Sequence, residues 1–167
     1  MTLTECATFT ADVNATSYID GACFTMKTPT NFIVGQAQDY CRQIGHQLGA
    51  QGRLPILPSI SNLTTVTQAL GIPTGRFHLG AYQHNISGTL DEHWYWNHDP
   101  VVSNMTNTSI GPWPMDMSML NANSFAERCV YRSGSQMNDG YCFNTVYNDL
   151  TVCEIRNSDW NLFIFFC

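Results

Sequence analysis

The stretch that decides the fold is residues 31–49, with the sequence NFIVGQAQDYCRQIGHQLG. Its apolar residues recur every three or four positions, at Phe32 or Ile33, Ala37, Tyr40, Cys41, Ile44 and Leu48. That spacing predicts an amphipathic helix, because residues three and four apart share one helix face. Asn31 fits an N-cap, and Gly49 stands just past the expected end. The pattern therefore places Cys41 on the buried face of a helix.

Cys41 is one of seven cysteines in a chain of 167 residues. Far downstream, a short polar stretch separates Cys129 from Cys142, and Cys153 lies within the triplet Val152-Cys153-Glu154. The sequence has no Cys-x-x-Cys pair and no cysteine–histidine spacing that is typical of zinc sites. Disulfides in an oxidising compartment explain the cysteines better. The sequence thus predicts a loop-rich extracellular domain stabilised by disulfides.

Glycosylation sequons favour the same compartment. Five Asn-x-Ser/Thr triplets begin at Asn14, Asn62, Asn85, Asn104 and Asn107, and none has proline in the middle. Residues 1–6 lack the basic segment and apolar run of a signal peptide, so we expect this chain to carry none. The sequence is therefore interpreted as a secreted or extracellular glycoprotein.

Composition limits the kinds of partner. The length of 167 residues fits one domain with a real core. The net charge is -6, only 12% of residues are charged, and lysine and arginine form no cluster. Because a nucleic-acid surface needs a basic field, nucleic acid is excluded as a partner.

Turn and cap residues predict two further elements in the first half of the chain. Asp20-Gly21 precedes a short apolar run, which predicts an N-terminal hairpin over residues 6–26. Ser61-Asn62 fits the cap of a second, shorter helix that Gly71 and Pro73 end.

The second half reads as short strands and one long loop. The aromatic stretches 77–82 and 94–96 are typical of strands. Residues 97–126, rich in Asn, Met, Pro and Ser, predict a loop of a length that usually has a function. The apolar tail Trp160–Cys167 is far shorter than the roughly 20 residues that span a bilayer. It is interpreted as a core strand, a truncated membrane anchor, or sequence foreign to the domain.

Seven motifs follow one another in a fixed order. They are Ala37-x3-Cys41-x3-Gly45-x2-Leu48, Phe77-His78-Leu79-Gly80, Trp94-Tyr95-Trp96, Glu127-Arg128-Cys129-Val130, Met137-Asn138-Asp139, Cys142 and Val152-Cys153-Glu154. In these motifs the chain resembles the C-type lectin-like domain, in its long form with an N-terminal hairpin, from about Cys6 to Ile155. The resemblance implies an α+β fold in which two helices flank small antiparallel sheets with a long functional loop. Residues 1–156 would form this domain, and residues 157–167 a tail of unknown role.

The same resemblance implies how the cysteines pair. It joins Cys41 to Cys153, Cys129 to Cys142, and Cys6 to Cys23, and it leaves Cys167 unpaired. The first bond would close a loop of more than a hundred residues and the second would tether the functional edge.

A calcium site is the next implication. Sugar-binding members of the family hold calcium through carboxylate and amide oxygens, which also accept hydrogen bonds from sugar hydroxyls. Glu127, Asn138 and Asp139 match ligand positions, and Asn121 can supply a fourth. Met119 stands where another ligand is expected, and its soft thioether does not suit calcium. Calcium as a cofactor is therefore expected to bind weakly through Asn121, Glu127, Asn138 and Asp139.

Two functions follow from the resemblance. The first is an extracellular carbohydrate-recognition module, with calcium as a cofactor, whose partner is a glycan. The alternative is a calcium-independent module of the same fold that binds a cell-surface or extracellular protein through the long loop. Trp113 and the loop methionines Met105, Met115, Met117 and Met119 would then supply an adaptable apolar surface, or fill gaps beneath the loop. Membrane association is expected only if the tail is a truncated anchor.

Other chemistry is disfavoured. Asp91-Glu92-His93 with His98 and Asp99 has no His-Glu-x-x-His spacing, so solvated turns explain these residues better than a metal site. No set of nucleophile, base and oxyanion donors can be assembled from the motifs. The sequence is therefore interpreted as that of a binding protein and not of an enzyme.

Overall fold

A computed structural model describes residues 2–9, 12–83, 94–96, 129–145 and 149–157. The helices are α1 (Leu3–Thr8), α2 (Val34–Gln47) and α3 (Ile60–Ala69). The strands are β1 (Ala15–Ile19), β2 (Ala22–Lys27), β3 (Gln51–Arg53), β4 (Phe77–Gln83), β5 (Trp94–Trp96), β6 (Cys129–Ser133), β7 (Gln136–Gly140) and β8 (Thr151–Arg156). The predicted loop over residues 97–126 and the tail Trp160–Cys167 lie outside the described residues.

The strands form two antiparallel sheets. The first has the order β1-β2-β8-β3 and the second the order β5-β4-β6-β7. In the first sheet β8 lies between β2 and β3, so the end of the domain pairs with its beginning. This arrangement of small antiparallel sheets with helices agrees with the α+β class predicted from the sequence.

The N-terminal hairpin is confirmed for β1 and β2. Asp20 and Gly21 connect the two strands, and both have positive φ, at 48° and 79°. The predicted start at Cys6 is wrong, because residues 3–8 form α1. Thr2 and Glu5 cap this helix reciprocally: the Thr2 hydroxyl accepts from the Glu5 N–H, and the Glu5 carboxylate accepts from the Thr2 N–H.

The helix predicted from residues 31–49 is confirmed as α2, but its predicted cap is wrong. The helix begins at Val34, with Ile33 and not Asn31 at the N-cap. The Val34 N–H donates to the Cys142 carbonyl at 3.1 Å, so a distant segment satisfies the first N–H of the helix. Gly49 follows the end with φ 63°, as expected for a left-handed helix stop.

The second helix is likewise confirmed with a shifted start. Ser59 caps α3, and its hydroxyl accepts from the Asn62 N–H at 3.1 Å, so the prediction that Ser61-Asn62 forms the cap is wrong. The helix ends at Ala69, and Gly71 follows with φ 67°. Ser59 is the cap because the helix begins at the next residue, Ile60. From that position its side chain reaches the N–H three residues ahead, as a capping side chain does.

Two hydrophobic clusters lie on opposite faces of the first sheet. One packs α2 against that sheet and includes Cys41, Ile44, Cys153 and Ile155. The other fills the space among α3 and both sheets, with Leu63, Val66, Phe77, Val130, Met137 and Val152 among its members. Because alternate residues of β8 serve the two clusters, this strand is buried on both faces.

All three predicted disulfides are confirmed. They join Cys6 to Cys23, Cys41 to Cys153, and Cys129 to Cys142. The second connects α2 to β8 at the centre of the first sheet. The third connects the first residue of β6 to the residues that follow β7. Cys167 lies outside the described residues.

Two glycines let α2 approach β3 closely. A Cβ atom on Gly52 would lie 1.8 Å from the Cys41 carbonyl oxygen, and one on Gly45 would lie 2.2 Å from the Gly52 nitrogen. Both contacts are with backbone, which cannot move aside as a flexible side chain can. The glycine in the predicted helix motif is therefore required by the contact between helix and strand.

Gly52→Ala is expected to lower the free energy of unfolding by about 3 kcal/mol, the upper end of the usual overpacking cost. The matched control is Gly35→Ala, because Gly35 lies in α2 with open space around its Cβ position. That change should stabilise the helix by about 0.5–1 kcal/mol. Urea unfolding followed by circular dichroism measures both. Equal stabilities for the two variants would contradict the close contact.

Within the part of the chain that the structure describes, none of the helices has the length and apolar character to cross a membrane.

Candidate functional site

The structure describes two of the five predicted site residues. Asn138 and Asp139 are neighbours on β7, where Asn138 is half-buried and Asp139 is 6% exposed. Trp113, Asn121 and Glu127 lie outside the described residues, as does Met119. The described part of the candidate site is therefore an amide beside a carboxylate on one strand.

Register decides which way these two side chains are presented. Asn138 lies opposite Tyr131 on β6, and Asp139 lies opposite Val130. Directly opposed residues share a sheet face, whereas successive residues alternate. Asn138 thus lies on the Tyr131 face, and Asp139 on the face of the buried Val130.

The two faces meet at the outer edge of β7. In the described residues β7 pairs only with β6, so it is the last strand of the second sheet. The Asn138 amide is half-buried and accessible from one face of this edge, whereas Asp139 on the other face is 6% exposed, so little of its carboxylate is accessible. Of the two described side chains, Asn138 is therefore the more accessible at this edge.

A disulfide and a hydrogen bond fix the segment that follows β7. The Cys129–Cys142 disulfide ties the start of β6 to the segment after β7. The Cys142 carbonyl accepts the Val34 N–H at 3.1 Å, which fixes that segment to the start of α2. These two contacts, with the pairing to β6, restrain the strand that carries Asn138 and Asp139.

A buried histidine lies in the same cross-strand row as Asn138. His78 on β4 lies opposite Tyr131, which in turn lies opposite Asn138, so the three form one row across the sheet. Burial lowers the pKa of His78 to about 4, and the Val130 backbone opposes this only in part. The ring is therefore neutral at pH 7, and the row presents no charge.

His78 makes stability depend on pH. Its folded pKa lies below the unfolded value of about 6.5, so the unfolded chain takes up a proton first as the pH falls. Stability is fully present above pH 6.5 and is lost towards pH 4, by about 3 kcal/mol in all.

We therefore expect His78→Phe to flatten the decline in unfolding free energy between pH 6.5 and 5, a range above the usual titration of carboxylates. Denaturant unfolding at several pH values measures it, with exposed His46→Gln as the control. A wild-type decline that persists in His78→Phe would show that another group causes it.

Two residues close to the site were missed by the motifs. Tyr141 and Phe143 flank Cys142 and are 42% and 86% exposed. Only the alternation of aromatic residues about a predicted disulfide cysteine could have indicated them, because an exposed aromatic cannot be told from a core aromatic by type.

Comparison with known proteins finds similarity in structure only. The sequence matches no protein-family model and no curated protein. Human lithostathine shares 16% identity and a TM-score of 0.54, over 86% of this chain and 89% of its own. The C-type lectin CEL-I from Cucumaria echinata shares 14% identity and a TM-score of 0.50, over 89% and 97%. A Ca²⁺-dependent type II antifreeze protein, in its Ca²⁺-free form, shares 19% identity and a TM-score of 0.50, over 88% and 98%.

Proposed function

We propose that this chain, whose fold is that of the C-type lectin-like domains, is a secreted or extracellular module that binds carbohydrate at the edge of β7. The observation that carries the proposal is the adjacent amide and carboxylate of Asn138 and Asp139 on an edge strand anchored by a disulfide. Such groups accept and donate the hydrogen bonds that sugar hydroxyls require. The site would bind and not catalyse.

Location outside the cell is supported by the covalent structure. Three disulfides persist in oxidising compartments and are rare in the cytosol. Asn14 and Asn62, the described sequon asparagines, are both exposed, as glycosylation requires. These features favour a secreted glycoprotein.

Calcium is proposed as the cofactor that would complete the site. The Asn138 amide oxygen and the Asp139 carboxylate are hard donors that fit this ion, and a bound ion would supply positive charge to orient sugar hydroxyls. Asn121 and Glu127 are the further ligands that the family resemblance implies. Because Met119 stands in place of another oxygen donor, the proposed affinity is weak.

Calcium calorimetry and a glycan array with and without chelator test this proposal. Asn138→Ala and Asp139→Asn are expected to abolish glycan binding, whereas Gln136→Ala, an exposed change on the same strand, should preserve it. Circular dichroism establishes that each variant is folded. Absence of both calcium heat and glycan binding in the wild type would refute the proposal, and binding that resists chelator would refute its calcium part.

A calcium-independent protein-interaction module is the second candidate, favoured by Met119 at a ligand position. Under this proposal the apolar residues of the 97–126 stretch contact an extracellular protein, so Trp113→Ala and Met117→Asp should each weaken the interaction. An interaction that neither substitution alters would exclude this function.

A further inference from the structure

An aromatic turn follows the candidate binding strand. We use this name for residues Tyr141–Asn144, in which the Asn144 N–H donates to the Tyr141 carbonyl at 3.2 Å. Among the described residues, the large hydrophobic side chains that are exposed are Leu3, Tyr141 and Phe143. Two of the three thus lie within this one turn, while the third lies in the N-terminal helix.

Two contacts of Cys142 fix the backbone of the aromatic turn. Cys142 lies between the two aromatic residues and is bound covalently to Cys129, and its carbonyl accepts from the first N–H of α2. Phe143 remains 86% exposed, although burying such a side chain would gain about 1.5–3 kcal/mol. A contact made there gains that energy at little cost in ordering the backbone.

The surroundings of the turn are polar and almost uncharged. Residues 133–145 contain one charged side chain, Asp139, and the first turn of α2 that holds Cys142 has none. Four extended residues span at most about 14 Å, so Phe143 lies within a short oligosaccharide's length of Asp139. An aromatic surface beside amide and carboxylate oxygens suits a molecule with both hydroxyl groups and an apolar C–H face.

We infer that Phe143, with Tyr141, stacks against the C–H face of a neutral sugar whose hydroxyls bind at Asn138 and Asp139. The inference rests on the proposed function and narrows its ligand to uncharged glycans. Sialylated and sulfated glycans are disfavoured, because residues 133–145 contain no lysine or arginine and carry the carboxylate of Asp139. Arg132, which precedes them, is buried and donates to the Gly75 carbonyl at 2.8 Å.

The test is an array of lactose, N-acetyllactosamine and mannobiose beside sialylated and sulfated derivatives of the first two. Nuclear magnetic resonance titration with the best neutral glycan then compares Phe143 variants. Phe143→Ala and Phe143→Leu should each weaken binding about tenfold, and Phe143→Tyr should retain it. Leu3→Ala, which removes the other exposed apolar side chain, is the control that should leave affinity unchanged.

The outcomes separate this inference from the function on which it rests. Loss of binding in Phe143→Leu supports stacking, because leucine preserves apolar area but not the aromatic face. Full binding by Phe143→Leu, or preference for the charged glycans, would overturn the inference while Asn138→Ala could still confirm the glycan site. A wild-type protein that binds no glycan would overturn both.

Discussion

Replacing Cys41 and Cys153 together by alanine is expected to lower the free energy of unfolding by about 4–5 kcal/mol. The two cysteines are 112 residues apart in sequence, and both are fully buried. Their bond restricts the unfolded chain more than a short crosslink does, because the loop it closes is long. A small domain with a typical stability of 5–15 kcal/mol would be left marginal.

The matched control is the double alanine variant of Cys129 and Cys142. That bond spans only 13 residues, so its removal should cost about 3 kcal/mol. Guanidinium unfolding followed by circular dichroism compares the two variants. A larger loss from the shorter loop would contradict the loop-closure argument and indicate that strain or packing sets the contribution of each bond.

Helix α2 and the disulfides could be predicted because their signals are local or belong to motifs. The apolar spacing of residues 31–49 follows from helix geometry alone, so α2 appeared where expected. Its start could not be predicted from the same residues. The Val34 N–H is satisfied by Cys142, more than a hundred residues away, and no local pattern records that contact.

For strand β7, the motifs predicted the candidate site residues but not the strand itself. Gln136–Gly140 contains few residues with strand propensity, so composition gives no reason to expect β7. Pairing with β6 through a tight turn at Gly134, with the disulfide beyond, makes it a strand. Motifs could therefore identify Asn138 and Asp139 as candidates, whereas their placement on two faces of a sheet edge depends on register.

The exposure of the aromatic turn could not be predicted from residue type. Residue type predicts that phenylalanine is usually buried, yet Phe143 is exposed and Phe77 is not. The difference arises because Phe77 lies in a strand within the core, whereas Phe143 lies in a turn fixed from behind by Cys142. Whether an aromatic side chain is buried or exposed therefore depends on the whole fold.

Glu154→Ala is expected to lower the free energy of unfolding by about 3–5 kcal/mol, the range for breaking a buried ion pair. Glu154 lies on β8, is 1% exposed, and accepts hydrogen bonds from Arg53 at 2.9 Å and Arg156 at 2.5 Å. It also accepts the Ile56 N–H at 2.9 Å. Alanine would leave this amide and the partly buried Arg53 without their acceptor, which adds desolvation cost to the lost contacts.

The charge of Glu154 makes this contribution depend on pH. Burial raises the pKa of Glu154, but Arg53, the Ile56 amide and Arg156 outweigh it and hold the pKa below the usual value near 4.5. Folding therefore favours the charged form of Glu154. The contribution of this charge to the free energy of unfolding is present above the usual pKa and is lost as the pH falls through the lowered folded pKa. Glu154→Gln, which keeps an acceptor for the amide, should differ from the wild type most at neutral pH and least in acid.

Denaturant unfolding of the wild type, Glu154→Ala and Glu154→Gln between pH 7 and pH 3 measures these differences. Asp39→Ala is the control, because Asp39 pairs with Arg42 on the exposed surface of α2 and such pairs contribute about 0–1 kcal/mol. Equal losses from Asp39→Ala and Glu154→Ala would refute the argument from burial. A difference between wild type and Glu154→Gln that does not shrink in acid would refute the argument from charge.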